Sequence, residues 1–197
     1  MSTETKRSDA EPAQPRTLTT VLILPGWQGS GPRHWQSLWE QAWGDVRVQQ
    51  HDWDAPLRGD WICQLEQAVL AQPGPLLLAA HSLGCHLAAG WAASSRHAQR
   101  VRGALLVAPP DLQRDDLPPA LYSWRGHPRA ALPFAAHLIS SDDDPFCAPA
   151  PAAALAADWG ARHTTIGACG HINADSGLGD WPQGRAWLLE LDSTTPR

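Results

Sequence analysis

The chain has 197 residues, of which 43% are hydrophobic and 18% charged, and its formal net charge is -5. This length and balance indicate one folded domain around a single core and exclude a largely disordered chain. The acidic charge balance offers no basic stripe of the kind that neutralises phosphates, so we expect no nucleic-acid partner.

The two ends of the sequence predict short tails around one domain. Residues 1–18 are polar, contain proline and show no periodicity, which is typical of a flexible N-terminal tail. We place the domain at 19–192 and a C-terminal tail at 193–197. Six short apolar runs predict strands within the domain, at 21–24, 46–50, 75–80, 103–108, 135–140 and 162–166.

In the segments between these strands, apolar residues recur at helical spacing. It predicts helices at 33–43, 60–72, 82–94 and 150–159, and a last one at 181–192. Alternating strands and helices favour an α/β fold, here a three-layer sandwich with a mostly parallel six-stranded sheet. The proline-rich stretch 109–134 is the longest irregular connection, and we interpret it as a lid or a pocket wall.

Targeting and metal-binding signals are missing from the sequence. No apolar run approaches the roughly 20 residues that a membrane-spanning helix needs, and the first residues lack the apolar segment of a secretory signal. We therefore expect a cytoplasmic protein with no membrane partner. The four cysteines form no C-x-x-C pair and the histidines no H-E-x-x-H motif, so we expect no metal and no cofactor.

Ser82 lies at the junction of a predicted strand and a predicted helix, in the stretch Ala80-His81-Ser82-Leu83-Gly84. A nucleophile elbow needs small residues two positions before and after its serine, because the turn is tight. Ala80 and Gly84 meet that need, although glycine is usual at the first position. The alternative is that Ser82 only caps the helix.

A serine nucleophile needs a base, and the base needs a carboxylate that orients it. His171 follows the last strand, and Asp144 follows the strand at 135–140, so the order is serine, acid, histidine. We choose Asp144 among three consecutive aspartates because Pro145 stiffens the loop behind it. The alternatives are that the three aspartates form a solvated turn with no special member and that His171 is a capping or surface histidine. His81, beside the serine, is interpreted as structural support.

The oxyanion of an acyl-transfer reaction needs two hydrogen-bond donors. The amide after the nucleophile, that of Leu83, is one candidate, and the loop after the first strand supplies the other from Trp27 or Gln28, of which we choose Trp27. A rival interpretation takes the glycines at 26, 29 and 31 as a dinucleotide-binding turn. Their G-x-x-G-x-G spacing differs from the G-x-G-x-x-G that such a turn requires.

The sequence contains 11 tryptophans. Trp35 and Trp39 recur at helical spacing, which favours core packing. Three others, Trp27, Trp53 and Trp124, fall near predicted strand ends. We interpret these three as candidates for the wall of an apolar acyl or aryl pocket.

Four stretches together resemble the small serine hydrolases related to retinoblastoma-binding protein nine, within the α/β-hydrolase superfamily. They are VLILPGWQGSGPRHWQSLWE, AHSLG, SSDDDPFC and GHIN. The resemblance covers residues 19–192 and implies a compact core with a triad of Ser82, Asp144 and His171. It also implies esterase-like activity on small artificial substrates, whereas Ala80 departs from the family's glycine.

These observations predict a serine hydrolase that cleaves a carboxylic ester through an acyl-enzyme. Its partner is then a small-molecule acyl substrate, and the sequence leaves protein partners unknown. A binding protein that keeps the α/β-hydrolase scaffold with little or no catalysis is the alternative.

Overall fold

The computed structural model describes residues 19–126 and 130–193. The tail predicted at 1–18 lies outside the described residues, and so do 194–197 of the predicted C-terminal tail. Ser193 belongs to a short 3₁₀ turn, Leu191–Ser193. The domain limits at 19 and 192 stay a prediction.

All six predicted strands and all five predicted helices are present. The strands are β1 (Thr20–Leu24), β2 (Val46–Arg47), β3 (Leu76–His81), β4 (Val101–Val107), β5 (Ala135–Ser140) and β6 (Arg162–Thr165). The helices are α1 (Trp35–Trp43), α2 (Arg58–Ala71), α3 (Leu83–Ser94), α4 (Pro149–Trp159) and α5 (Pro182–Glu190). Every helix in the described part of the chain is too short or too polar to span a bilayer.

The strands form one sheet in the order β2-β1-β3-β4-β5-β6, and each neighbouring pair is parallel. The chain moves outward to β2 after β1 and then crosses back to β3, so the order of the strands reverses between β1 and β3. A crevice opens at such a reversal beyond the carboxyl ends of the strands, and ligands of open α/β sheets bind there.

Side chains along each strand alternate between two separate cores, one on each face of the sheet. Leu22 and Leu78 pack with α2, α3 and α4, whereas Ile23 and Leu77 pack with Trp35 of α1 and with α5. Nearly continuous apolar strands are typical of a parallel sheet that is buried on both faces. The predicted three-layer α/β sandwich is therefore confirmed.

Strand β2 is shorter than predicted. It forms only two register pairs with β1, Leu22 with Val46 and Ile23 with Arg47, because it lies at the edge of the sheet with β1 as its one neighbour. The chain then leaves the sheet, and the Asp52 carboxylate accepts hydrogen bonds from the amides of Asp54 and Ala55 in the following turn.

Candidate active site

Ser82 alone makes the turn between β3 and α3. Its backbone has φ 54° and ψ -124°, a conformation that is strained for any residue with a side chain. The Ser82 amide donates to the carbonyl oxygen of Val107 at 2.9 Å, which holds the turn against β4. Within the described chain its hydroxyl caps no amide of α3, so the alternative of a simple helix cap receives no support.

Gly84 shows why the turn needs a small residue after the serine. A Cβ atom at this position would lie 2.2 Å from the carbonyl oxygen of Leu24, closer than any real Cβ contact. Ala80 stands inside β3 and is fully buried, and its methyl group is accommodated there. The departure from glycine at this position therefore leaves the turn intact.

His171 lies in the loop after β6 and reaches the serine. Its Nε2 atom is 2.9 Å from the Ser82 Oγ. Two hydrogen bonds hold the backbone of this loop: His81 Nε2 contacts the carbonyl oxygen of His171 at 2.9 Å, and the Trp35 indole donates to that of Ile172 at 3.0 Å. The His81 contact agrees with its interpretation as structural support, whereas the sequence does not indicate the Trp35 contact.

Asp144 faces the other ring nitrogen of His171. Its two carboxylate oxygens lie 3.0 and 2.9 Å from His171 Nδ1, and its Oδ1 also accepts the Phe146 amide at 2.9 Å. A carboxylate beside Nδ1 favours the tautomer with the proton on that nitrogen. The Nε2 lone pair then points to the Ser82 hydroxyl.

The two aspartates before Asp144 occupy different environments. Asp143 Oδ1 accepts the Ser141 hydroxyl and the Gly170 amide, both at 2.7 Å, and these two hydrogen bonds lower the pKa of Asp143. Asp142 is exposed. Asp143 thus anchors the loop that carries His171. The sequence alone does not separate it from Asp142, because three consecutive aspartates give the same local signal.

Two backbone amides remain candidates for the oxyanion hole. Leu83 is the first residue of α3, where amides have no partner within the helix. The Gln28 amide donates to the carbonyl oxygen of Trp53 at 3.0 Å, so it is already engaged. Among the backbone hydrogen bonds of the described residues, none uses the Trp27 amide. This distribution favours Trp27 over Gln28.

A cavity of about 490 Å³ opens above Ser82 and His171. The stretch 110–121 forms part of its wall, so the first half of the predicted lid or wall segment borders the site. Trp27 lines the cavity, but Trp53 packs on Trp61 and Trp124 is fully buried against Pro56. The apolar part of the lining consists of Trp27, Leu83, Pro110, Leu117, Pro118, Leu121, Phe146 and Ala174.

Two buried histidines lie beside the site and are uncharged at neutral pH. Burial, with the charges of Arg47 and His171, lowers the pKa of His34 to about 3. Burial also lowers the pKa of His81 well below its usual range, and the neighbouring His34 and His171 act in the same direction. The His81 ring lies 4.6 Å from that of His34 and 4.9 Å from that of His171, measured between centroids.

The described residues form no cluster with metal-binding geometry. Across residues 19–126 and 130–193, no group of three histidine, cysteine, aspartate or glutamate side chains could hold a metal ion. The four cysteines, Cys63, Cys85, Cys147 and Cys169, form no disulfide with one another. The chemistry available at this site is that of a hydroxyl, an imidazole, a carboxylate and backbone amides.

Comparison with known proteins places the chain among hydrolases. A family model described as "Serine hydrolase" matches residues 21–190. A protein described as a YdeN-like hydrolase of Pectobacterium atrosepticum is 26% identical, with a TM-score of 0.79 over 88% of this chain and 90% of that one. The ydeN gene product of B. subtilis is 20% identical, with a TM-score of 0.70 over 90% and 100% of the two chains.

The fold is also that of an esterase of lower identity. Est1E of Butyrivibrio proteoclasticus, solved with ferulic acid bound, is 12% identical, with a TM-score of 0.67 over 92% of both chains. At that identity the likeness concerns the fold alone. Among curated protein sequences, none matches this chain. The predicted resemblance to small α/β-hydrolase-fold serine hydrolases is confirmed, whereas the relation to retinoblastoma-binding protein nine stays a prediction.

Proposed function

This chain belongs to the serine hydrolase family, and we propose that it hydrolyses carboxylic esters of small acyl groups through an acyl-enzyme on Ser82. The observation that carries the proposal is the continuous hydrogen-bonded series from Ser82 Oγ through the His171 ring to the Asp144 carboxylate, with distances of 2.9 to 3.0 Å. A serine hydroxyl becomes a useful nucleophile when a neighbouring base takes its proton.

In the first half of the reaction, Ser82 Oγ attacks the ester carbonyl carbon. His171 Nε2 takes the hydroxyl proton, and Asp144 stabilises the imidazolium that forms. The tetrahedral intermediate collapses when the bond to the alkoxy oxygen breaks. His171 returns its proton to that oxygen, so an alcohol leaves and the acyl group stays on Ser82.

The second half repeats these steps with water as the nucleophile. His171 Nε2 takes a proton from the water, whose oxygen attacks the acyl carbon. The bond to Ser82 Oγ then breaks, and His171 protonates the serine. A carboxylic acid leaves and the enzyme returns to its starting state.

The negative oxygen of both tetrahedral intermediates needs fixed donors. We assign this role to the backbone amides of Trp27 and Leu83, two residues that line the cavity together with Ser82. Preorganised amides of this kind contribute about 3–4 kcal/mol each to stabilisation of the transition state in enzymes that use them. The free N-terminal end of α3 adds a favourable dipole.

The test is hydrolysis of p-nitrophenyl acetate and butyrate together with labelling by a fluorophosphonate probe. We expect turnover and labelling of the wild-type chain, and neither in Ser82→Ala. The matched control is Ser123→Ala, which should leave labelling unchanged, since among the described residues the Ser123 hydroxyl donates only to the Pro56 carbonyl oxygen. Full activity in Ser82→Ala would refute the assignment.

Thioesters and amides are further arms of the same assay, since one structural neighbour is a thioesterase, RedJ of the prodiginine pathway in Streptomyces coelicolor, at 18% identity. We expect the oxygen esters to be cleaved faster than the matched amide, because an alcohol leaves more readily than an amine. A wild-type chain that folds but takes no fluorophosphonate label would instead favour the non-catalytic binding protein.

A further inference from the structure

The crevice between β1 and β3 separates the two parts of the proposed oxyanion hole. Leu24 and Ala80 form the last register pair of these two strands. Beyond it, β1 continues into the loop that carries Trp27, and β3 continues into Ser82 and Leu83. The distance between the two amides therefore depends on how far the strands separate at this point.

Gln36 occupies this crevice. It lies in the first turn of α1 and is completely buried. Its side-chain amide donates one hydrogen bond to the carbonyl oxygen of Leu24 at 3.1 Å and a second to that of Ala79 at 2.9 Å. One amide group thus connects the ends of the two strands, and both of its protons are used.

The oxygen of the same side chain holds the far end of the loop. Gln36 Oε1 accepts the Ser30 hydroxyl at 2.6 Å. The carbonyl oxygen of Ser30 in turn accepts from the Ser37 hydroxyl at 3.0 Å and from Arg47 Nη1 at 3.2 Å. The loop 25–30 is consequently anchored at both ends by the start of α1, with Trp27 between the two anchors.

The packing around the crevice leaves little freedom for movement. A Cβ atom on Gly26 would lie 2.6 Å from the Ser82 Cβ, so the loop and the nucleophile are in contact. Gly84 packs equally closely on Leu24, as described above. A small change in the separation of the strands would therefore shift the Trp27 amide relative to Ser82 and Leu83.

We propose that Gln36 is a positioning residue, which sets the geometry of the oxyanion hole by joining Leu24, Ala79 and Ser30. This inference rests on the proposed ester hydrolysis. Gln36 touches no reacting atom, and it acts through the loop that carries the Trp27 amide. Donors that are displaced by about 1 Å stabilise the transition state less while they bind the substrate nearly as before.

The principal variant is Gln36→Met, which keeps the length of the side chain and removes all three hydrogen bonds. We expect kcat for p-nitrophenyl acetate to fall roughly 10- to 100-fold while KM changes less than about threefold. The affinity for phenylboronic acid, which forms a tetrahedral adduct with serine, should fall by the same factor as kcat/KM. Ser30→Ala removes only the hydrogen bond to Gln36 Oε1 and should give an intermediate loss of kcat. This second variant still tests the proposal if Gln36→Met does not fold.

A general loss of stability is the competing explanation, and Val69→Ala controls for it. Val69 is fully buried in α2, away from the crevice, so this variant loses stability without touching the loop. Thermal unfolding midpoints identify a temperature at which all variants stay folded for the kinetic assays. Amide hydrogen exchange at residues 26–31 should be faster in Gln36→Met and unchanged in Val69→Ala.

The outcomes separate this inference from the proposed function. A wild-type chain without turnover or label would end the proposed function. Amide hydrogen exchange at residues 26–31 would still test whether Gln36 holds the loop, and unchanged exchange in Gln36→Met would overturn that part of the inference. In an active wild-type enzyme, a kcat within twofold in both Gln36→Met and Ser30→Ala would overturn the positioning role, as would an equal kcat loss in Val69→Ala.

Discussion

His81 Nε2 lies 2.9 Å from the main-chain carbonyl oxygen of His171. A carbonyl oxygen only accepts hydrogen bonds, so this nitrogen carries the proton of a neutral His81 ring. The residue next to the nucleophile therefore holds the backbone of the base. This contact joins the turn that carries Ser82 directly to the loop that carries His171.

We predict that His81→Phe lowers kcat about 5- to 20-fold, because the ring packing is kept while the hydrogen bond to the His171 loop is lost. The unpaired carbonyl oxygen should also reduce the free energy of unfolding by about 1–3 kcal/mol. Ester kinetics and urea unfolding measure the two effects. A variant with wild-type kcat would show that the His171 loop is held by its other contacts alone.

The three consecutive aspartates should differ sharply in their effect on activity. Asp144→Asn should lower kcat about 10³- to 10⁴-fold, because an amide at this position disfavours the tautomer that the reaction needs. Asp143→Ala should lower kcat about 10-fold, since it frees the Gly170 amide and the loop of His171. Asp142→Asn, a change on an exposed side chain, should leave kcat within twofold of wild type.

Kinetics of the three variants on one ester give the comparison directly. Equal losses in Asp142→Asn and Asp144→Asn would contradict the assignment of the acid. A fluorophosphonate label taken up by Asp144→Asn at the wild-type rate would contradict it as well, because labelling depends on the same proton transfer from Ser82.

Local patterns in the sequence predict most of the architecture because strand and helix periods are strong signals. The run 76–80 is apolar throughout, and in the structure it lies in β3, which is buried along its whole length. The order of serine, acid and histidine along the chain predicts which loops meet above the sheet. These features depend on residues close in sequence or on a topology that the βαβ order already determines.

Features that depend on contacts between distant segments could not be predicted in the same way. Asp142 and Asp143 are adjacent members of one acidic run, and the hydrogen bonds from the Ser141 hydroxyl and the distant Gly170 amide distinguish Asp143. Trp53 and Trp124 follow strand-end patterns, yet their rings are used in packing and not in the cavity wall. The proposed role of Gln36 depends on the separation of β1 and β3, which no local sequence pattern indicates.

Gly26 offers a direct test of the contact between the loop and the nucleophile. In Gly26→Ala the new methyl group would lie 2.6 Å from the Ser82 Cβ and 3.1 Å from its Oγ, so one of the two segments must move. We expect kcat/KM to fall about 100-fold or more. The matched control is Gly59→Ala in α2, where an added Cβ meets nothing within 4 Å and activity should be unchanged.

Turnover assays on the two variants are compared after both are shown to be folded by circular dichroism. A Gly26→Ala chain with more than a third of wild-type kcat/KM would mean that the loop moves away from Ser82 at little cost. That result would also weaken the argument that the crevice is tightly packed.

The buried histidines predict that the protein loses stability in mild acid. His34 has a pKa of about 3 in the folded chain, against about 6.5 in an unfolded one. Between these values the unfolded chain binds a proton that the folded chain does not, so the free energy of unfolding decreases as the pH falls. Each such histidine contributes about 1.4 kcal/mol per pH unit well below 6.5.

Urea unfolding at pH 7 and pH 5 measures this dependence. His34→Asn should reduce the difference in free energy of unfolding between pH 7 and pH 5, because asparagine does not titrate. Its side-chain oxygen can still accept the hydrogen bond that the backbone amide of Gln36 donates to His34 Nδ1 at 3.2 Å. An identical pH dependence in wild type and His34→Asn would show that His34 is not a source of the effect.

The apolar wall of the cavity predicts the length of the acyl chain that the enzyme accepts. Leu121 is 5% exposed, lies in the 3₁₀ segment Pro119–Trp124 and lines the cavity. Leu121→Trp fills part of the space that a longer acyl chain would occupy. We expect kcat/KM for p-nitrophenyl octanoate to fall at least about 10-fold relative to p-nitrophenyl acetate.

The matched control is Leu70→Trp, because Leu70 is 54% exposed on α2 and the larger side chain there extends into solvent. The ratio of the two ester activities in this control should equal that of wild type. If Leu121→Trp lowers both activities by the same factor, the substitution disturbs the fold or the catalytic residues, and the wall formed by 110–121 does not select the acyl chain.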